Sequence, residues 1–131
     1  MTYLALLVGG AVGGILRYAL GFIPGGGQFP SATLFINLVG SLLLGALYAV
    51  TAFRKVPVPI RIGLATGVLG AFTTFSTFCL QTSRLALAHL PLAVLYALVS
   101  AVGGPLFALF GNQAVQAVLR RREQPAKEVS T

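Results

Sequence analysis

Apolar residues run along the chain in four long stretches, each closed by charged or helix-breaking positions. Residues 3–23 are apolar apart from Arg17 and end on Pro24-Gly25-Gly26-Gly27, which cannot continue a helix. A second stretch, 32–53, follows Ser31, a candidate N-cap, and stops at Arg54-Lys55-Val56-Pro57. The third covers 62–83 and gives way to Arg84 and a short piece ending at His89-Leu90-Pro91. The fourth, 92–119, carries Gly103-Gly104-Pro105, where a kink is expected. A bilayer core about 30 Å thick is crossed by about 20 helical residues, so each stretch predicts one membrane-spanning helix. The fold class read from this pattern is an all-α integral membrane protein, with one four-span domain over 1–119. Residues 120–131 read as a polar, basic tail without order. The first stretch is expected to stay as a span and not to be cleaved as a secretory leader. No basic residue precedes it and no small-residue cleavage site follows it.

Composition sharpens this picture. Of 131 residues 56% are hydrophobic and 8% charged, whereas about a quarter of a soluble domain is charged. The only acids are Glu123 and Glu128, so everything up to Arg122 lacks a carboxylate. One cysteine, Cys79, excludes a disulfide within the chain, and with the lone His89 it makes neither a zinc site nor a nucleophile–base–acid constellation. An enzyme is therefore not expected. A net charge of +7 suits nucleic acid in a soluble module, but here the cations flank apolar runs, so the expected partner is the lipid bilayer and not nucleic acid. Seven of the nine basic residues (Arg54, Lys55, Arg61, Arg120, Arg121, Arg122 and Lys127) fall on the side of the termini, leaving Arg84 and a snorkelling Arg17 for the other. The positive-inside rule then predicts a multi-pass plasma-membrane protein with both termini cytoplasmic.

The small and polar residues inside the spans say where helices meet. Gly9 with Gly13, Gly10 with Gly14, Ser41 with Gly45 and Gly63 with Gly67 recur at spacing four, as helix-packing faces in lipid do. Thr33, Asn37 and Ser41 form one stripe on the second span, and Tyr96 and Ser100 share a face of the fourth, with Gly104 one turn on. Read alone, each is either interhelical glue or a ligand-binding group. The third span is unusual: residues 67–78 place two glycines, four hydroxyl residues and three phenylalanines in mid-membrane, which predicts a break in the helix. Backbone freed at that depth must be buried in protein or face a hydrated cavity, and its carbonyls are natural ligands for a small cation. Phe75 and Phe78 would share a face on the resumed helix, either filling space or turning positive ring edges toward an anion.

Three motifs occur in order: Gly9, Gly10, Gly13, Gly14, Arg17, Tyr18 and Leu20; then Thr33, Leu34, Asn37, Gly40 and Ser41; then Gly67, Gly70 and the run Thr73-Thr74-Phe75-Ser76-Thr77-Phe78. Together, over nearly all of residues 3–118, the chain resembles the CrcB/Fluc family of fluoride ion channels. The resemblance implies an antiparallel dimer of four-span subunits that encloses two fluoride pathways around one structural sodium ion, and so a passive export route that lowers fluoride toxicity. By position, Phe75 and Phe78 look like the family's paired pathway phenylalanines, Asn37 like the amide donor with Thr33 beside it, and Tyr96 and Ser100 like its polar track. The backbone carbonyls of Gly70 and Thr73 look like the sodium ligands, and Arg17 like a structural or vestibule residue. A carboxylate-free path suits an anion, and a deep point charge would hold it too tightly to release.

Two departures stand out. Gln81 occupies a place where the family often has glutamate, and Gly104 one where a further hydroxyl is expected. The charge bias is a third matter: a chain that inserts both ways needs balanced Lys and Arg, so seven against two suggests pairing with an oppositely oriented homologue in place of itself. Two other classes fit a small four-span chain. A small multidrug exchanger needs a membrane-embedded carboxylate, which is missing here. A non-conducting assembly subunit would use the same small-residue faces.

Overall fold

The computed structural model describes residues 1–22 and 28–128, with side chains as far as Arg121. The expected stop at residues 24–27, the last residue of the first stretch and the final three residues of the tail lie outside the described residues. Four apolar segments are long enough to cross a membrane, and no strand occurs among the described residues. They are α1 (Thr2–Gly21), α2 (Ser31–Phe53), a segmented third span, and α6 (Leu90–Glu128).

The third span is built from α3 (Val58–Ile62), a π-helical stretch (Gly63–Leu69), α4 (Gly70–Phe72), a non-helical step at residues 73–75, and α5 (Ser76–Ala88). The break expected within 67–78 is therefore present, at Thr73, whose ψ of 161° is extended. Its two halves pack against different neighbours: the half before the break lies against α1, and α5 lies against α6. α2 packs chiefly on α6 and also touches both halves. The break is where the chain changes partners.

Glycines set the approach of these helices. A Cβ on Gly9 or Gly13 would run into the backbone carbonyls of Gly63 and Val68, and one on Gly45 into that of Ala108. The Gly9–Gly13 and Gly63–Gly67 pairs thus form one contact, in which Gly67 would place a Cβ 3.1 Å from the Gly9 Cα. Gly10 and Gly14 have no atom of this chain within 4 Å of their Cβ positions, so that pair packs nothing within the subunit. Leu38 meets Gly103 and Gly45 meets Ala108, so α2 and α6 run parallel and end at the same face of the bilayer.

Several boundaries differ from those expected. Pro30, not Ser31, holds the N-cap position of α2 and no side chain caps it; Ser31 is the first helical residue. α2 does end at Phe53, where Arg54 turns extended ahead of Pro57. α6 is continuous through Gly103-Gly104-Pro105 and extends to Glu128, so most of the tail expected to lack order continues the helix. Apart from Pro125, the residues from Arg120 to Glu128 favour helix, and a ladder from Arg120 to Gln116 to Asn112 ties the preceding turns at 3.3 and 2.9 Å. Large apolar side chains on every span stay exposed in the single subunit, among them Leu7, Ile15, Leu98 and Phe110. The small core gathers Leu85, Ala93 and Tyr96, with Phe29, Leu34 and Phe78 packed on it.

Candidate ion-conduction site

The break is held open by side chains that intercept helical donors. The Thr74 N–H, which an unbroken helix would send to the Gly70 carbonyl, donates to Asn37 Oδ1 at 2.9 Å. Asn37 Nδ2 donates back to the Thr74 carbonyl at 3.0 Å, so one amide clamps both backbone groups of one residue. The Thr77 N–H, which would have gone to the Thr73 carbonyl, donates to Thr74 Oγ1 at 3.2 Å. The Thr74 hydroxyl in turn donates to Thr77 Oγ1 at 3.0 Å. Gly40 on α2 makes room for this step, because a Cβ there would collide with the Thr73 methyl group.

Two consequences follow for the backbone. The carbonyls of Gly70 and Thr73 have lost the donors that helix geometry assigns them, and Thr73 O keeps only a long contact, 3.4 Å, from the Arg17 guanidinium. Gly70 and Thr73 line a cavity of about 280 Å³ with Asn37, Ser41, Thr74 and Phe75. Neutral oxygens released in this way are the donor set that takes a sodium ion in membrane proteins, so the chemistry of these residues fits that ion. One subunit offers two such oxygens, fewer than a hard cation takes.

A second cavity, about 220 Å³, brings Asn37, Phe75, Phe78 and Ser100 together with Ser41 and Gly104. Four of the residues singled out in the sequence thus converge on one space bounded by α2, the break, α5 and α6. Phe75 is 77% exposed in the subunit although it sits at mid-span, with its ring 5.8 Å from that of Phe78. The Ser100 hydroxyl is buried and has no hydrogen-bond partner. Asn37 has committed one of its two amide hydrogens to Thr74, which leaves the other for a ligand. Gly104 faces Ser41 Oγ at 3.6 Å from its Cβ position, so Ser41 supplies a hydroxyl beside the place where the fourth span lacks one.

The other expected residues lie elsewhere. Thr33 is buried and lines a third cavity, about 370 Å³, with Arg17, Thr74, Thr77 and Gln81. Tyr96 is fully buried: its ring packs 5.2 Å from Phe78 and 5.6 Å, edge-on, from Phe29, and its hydroxyl donates to Gln81 Oε1 at 3.3 Å. It is a core residue that backs Phe78 and does not face the space shared by Asn37 and Ser100. Thr74 and Thr77 belong to the third motif but carry no assigned role from sequence, and Phe29 lies outside every motif. The dense hydroxyl run of the third span was the available signal for the first two, and nothing marked Phe29.

The family model described as "CrcB-like protein, Camphor Resistance (CrcB)" matches residues 4–112. Among curated relatives, the "Fluoride-specific ion channel FluC 2" of Listeria innocua is 41% identical across 92% of this chain and 95% of its own. The FluC 1 protein of Moorella thermoacetica is 49% identical over 79% of this chain and 78% of its own, and the FluC protein of Pseudomonas fluorescens 45% over 78% and 86%. With that family model matching most of its length and relatives this similar nearly end to end, the chain belongs to the CrcB family.

Proposed function

We propose that this chain is a subunit of a fluoride-specific ion channel that lets fluoride leave the cytoplasm passively and so lowers its toxicity. The observation that carries the reading is the convergence of Asn37, Phe75, Phe78 and Ser100 on one cavity without a carboxylate. Fluoride is small and strongly hydrated, so its water must be replaced by donors that attract without trapping. The free Asn37 N–H and the unpartnered Ser100 hydroxyl are such donors, and the rims of Phe75 and Phe78 add weak positive edges. Thr33 and Arg17 line a separate cavity, where the guanidinium draws anions in and its contact to Thr73 steadies the break. Relatives carrying the name fluoride-specific ion channel support the choice of ion.

An open cavity with a 77% exposed phenylalanine on its wall needs a second subunit to close it. In an antiparallel dimer each subunit would wall one of two pathways. The Gly70 and Thr73 carbonyls of both would hold one structural, untransported sodium ion where they meet. Held there, the ion would supply fixed positive charge, and the Gly70 and Thr73 carbonyls would tie the two breaks together through it.

The alternatives explain less. An assembly subunit without conduction gives no use for a buried hydroxyl lacking a partner. Proton-coupled drug exchange lacks its membrane carboxylate, since both acids lie at Glu123 and Glu128. The deciding experiment is reconstitution into liposomes with a fluoride electrode. Fluoride efflux far above that of chloride is expected, and efflux no faster than from empty vesicles, with any required partner supplied, overturns the reading.

A further inference from the structure

The end of the bundle where α2 and α6 stop collects most of the charge of the chain. Gly45 on α2 meets Ala108 on α6, and the same number of residues further along these parallel helices brings Phe53 near the level of Gln116. Arg54 and Lys55, which leave the helix in extended backbone, then stand within about one turn of Arg120 and Arg121 in height. Arg61 is in the last turn of the short helix α3, just past the connection from Arg54 to Pro57. All five side chains are exposed, and no acid precedes Glu123 to neutralise them. Arg120 is steered along α6 by its bond to Gln116 Oε1 at 3.3 Å. The opposite end differs in kind: Arg84 there lines a cavity of about 470 Å³ with Gln28, Phe29 and Gln81, and residues 22–30 carry no charge.

Apolar side chains stand exposed among the five cations. Val58 and Ile60, between Lys55 and Arg61, are each more than half exposed, as are Tyr48, less than two turns before Arg54, and Val118, one turn before Arg121. A nucleic acid would pair with the cations and leave these groups in water. A lipid with a phosphodiester head and acyl tails covers both, since long basic side chains reach headgroup level while apolar ones lie just inside it. We propose that this end of the subunit is a binding surface for anionic phospholipids. The phosphodiester oxygens accept hydrogens from Arg54, Lys55, Arg61, Arg120 and Arg121, and acyl chains lie on Val58, Ile60 and Tyr48. α2 packs along α6, so Arg54 and Lys55 share an edge with Arg120 and Arg121, and α3, lying on α1, extends that edge through Arg61. The surface is separate from the cavity of Asn37 and Ser100, and the proposal stands whichever ion is conducted.

The full chain, with any partner it requires, is reconstituted in vesicles of equal parts phosphatidylglycerol and phosphatidylcholine, extracted in non-ionic detergent, and its retained lipids are measured. Phosphatidylglycerol is kept in preference to phosphatidylcholine, and the preference falls by up to about fivefold for each cation removed. It drops in Arg54→Gln/Lys55→Gln and again in Arg120→Gln/Arg121→Gln, weakens as salt rises, and persists in Arg84→Gln at the other end. Val58→Ser/Ile60→Ser lowers the total lipid retained and leaves the preference. The substituted side chains are exposed, so unfolding temperatures in phosphatidylcholine alone stay at the wild-type value. Inorganic phosphate or a DNA duplex, matched to the lipid in phosphate concentration, leaves the bound phosphatidylglycerol in place. Displacement by phosphate would make this a site for the free anion, and displacement by DNA a nucleic-acid surface; either overturns the lipid assignment. Equal retention of the two lipids by the wild type, a preference untouched in both basic double variants, or an equal drop in Arg84→Gln overturns it as well.

Discussion

Asn37 holds the break and, on the proposed function, also serves transport. Its oxygen and one amide hydrogen clamp Thr74, and its second hydrogen is what remains for an anion. Asn37→Asp keeps the acceptor for the Thr74 N–H but sets an oxygen against the Thr74 carbonyl. Losing that bond costs about 1–3 kcal/mol, and the new charge repels fluoride. Both the unfolding temperature in detergent and the flux should therefore fall; an unchanged unfolding temperature would mean the clamp does not hold the break. The two phenylalanines should part company in the same pair of measurements. Phe75 is 77% exposed, so Phe75→Ile abolishes flux while leaving subunit stability near wild type. Phe78 packs on the Tyr96 core, so Phe78→Ile loses stability as well as flux. Equal thermal losses for the two would contradict the burial difference.

At the level of elements, glycine spacing was legible in the sequence but its direction was not. Gly9, Gly10, Gly13 and Gly14 look alike on paper, and a helix wheel puts two pairs on adjacent faces; only packing shows that Gly9 and Gly13 meet backbone while Gly10 and Gly14 meet nothing in the subunit. Gly13→Ala should thus cost about 1–3 kcal/mol through overpacking against Val68, whereas Gly14→Ala should leave the subunit's thermal stability unchanged. Gly104→Ser belongs to the same test, since its Cβ would sit 3.6 Å from Ser41 Oγ in ordinary contact, and that variant should fold. The broken third span was readable for a firmer reason. Two glycines, four hydroxyl residues and three phenylalanines weaken the helix locally, and the hydroxyls supply side chains that compete for its donors. What the sequence hid were features set by partners far along the chain: the Tyr96 hydroxyl turning to Gln81, Phe29 reaching that ring from a loop, and the π-helical stretch ahead of the break. The cap of α2 was missed because Ser31 has the right chemistry, while Pro30 ahead of it already fixes the non-helical residue.

For the whole molecule, the parallel run of α2 and α6 turns a count of charges into a prediction. Because these helices end at the same face, Arg54, Lys55 and Arg61 lie on the side of Arg120 and Arg121, while Arg84 lines the cavity at the opposite end with Gln28. α6 strengthens the bias. Its 39 residues measure about 58 Å at helical rise, far more than a core of about 30 Å, so the arginines from residue 120 onward ride on a continuous helix close to the membrane instead of trailing away. Charges within about 15–20 residues of a span are the ones that set orientation. Expressed alone, the chain should then insert chiefly with its C-terminus in the cytoplasm, as a reporter fused there would show. An antiparallel channel made of such chains needs a homologue of opposite bias, so flux in cells should rise when that homologue is supplied. A reporter divided evenly between the two faces would remove the need for a second chain and leave self-pairing as the way the Gly70 and Thr73 carbonyls find their counterparts. Moving the balance tests the same point from the other side: replacing Arg120 and Arg121 by Gln should shift the reporter toward an even division and raise the flux of the chain expressed alone.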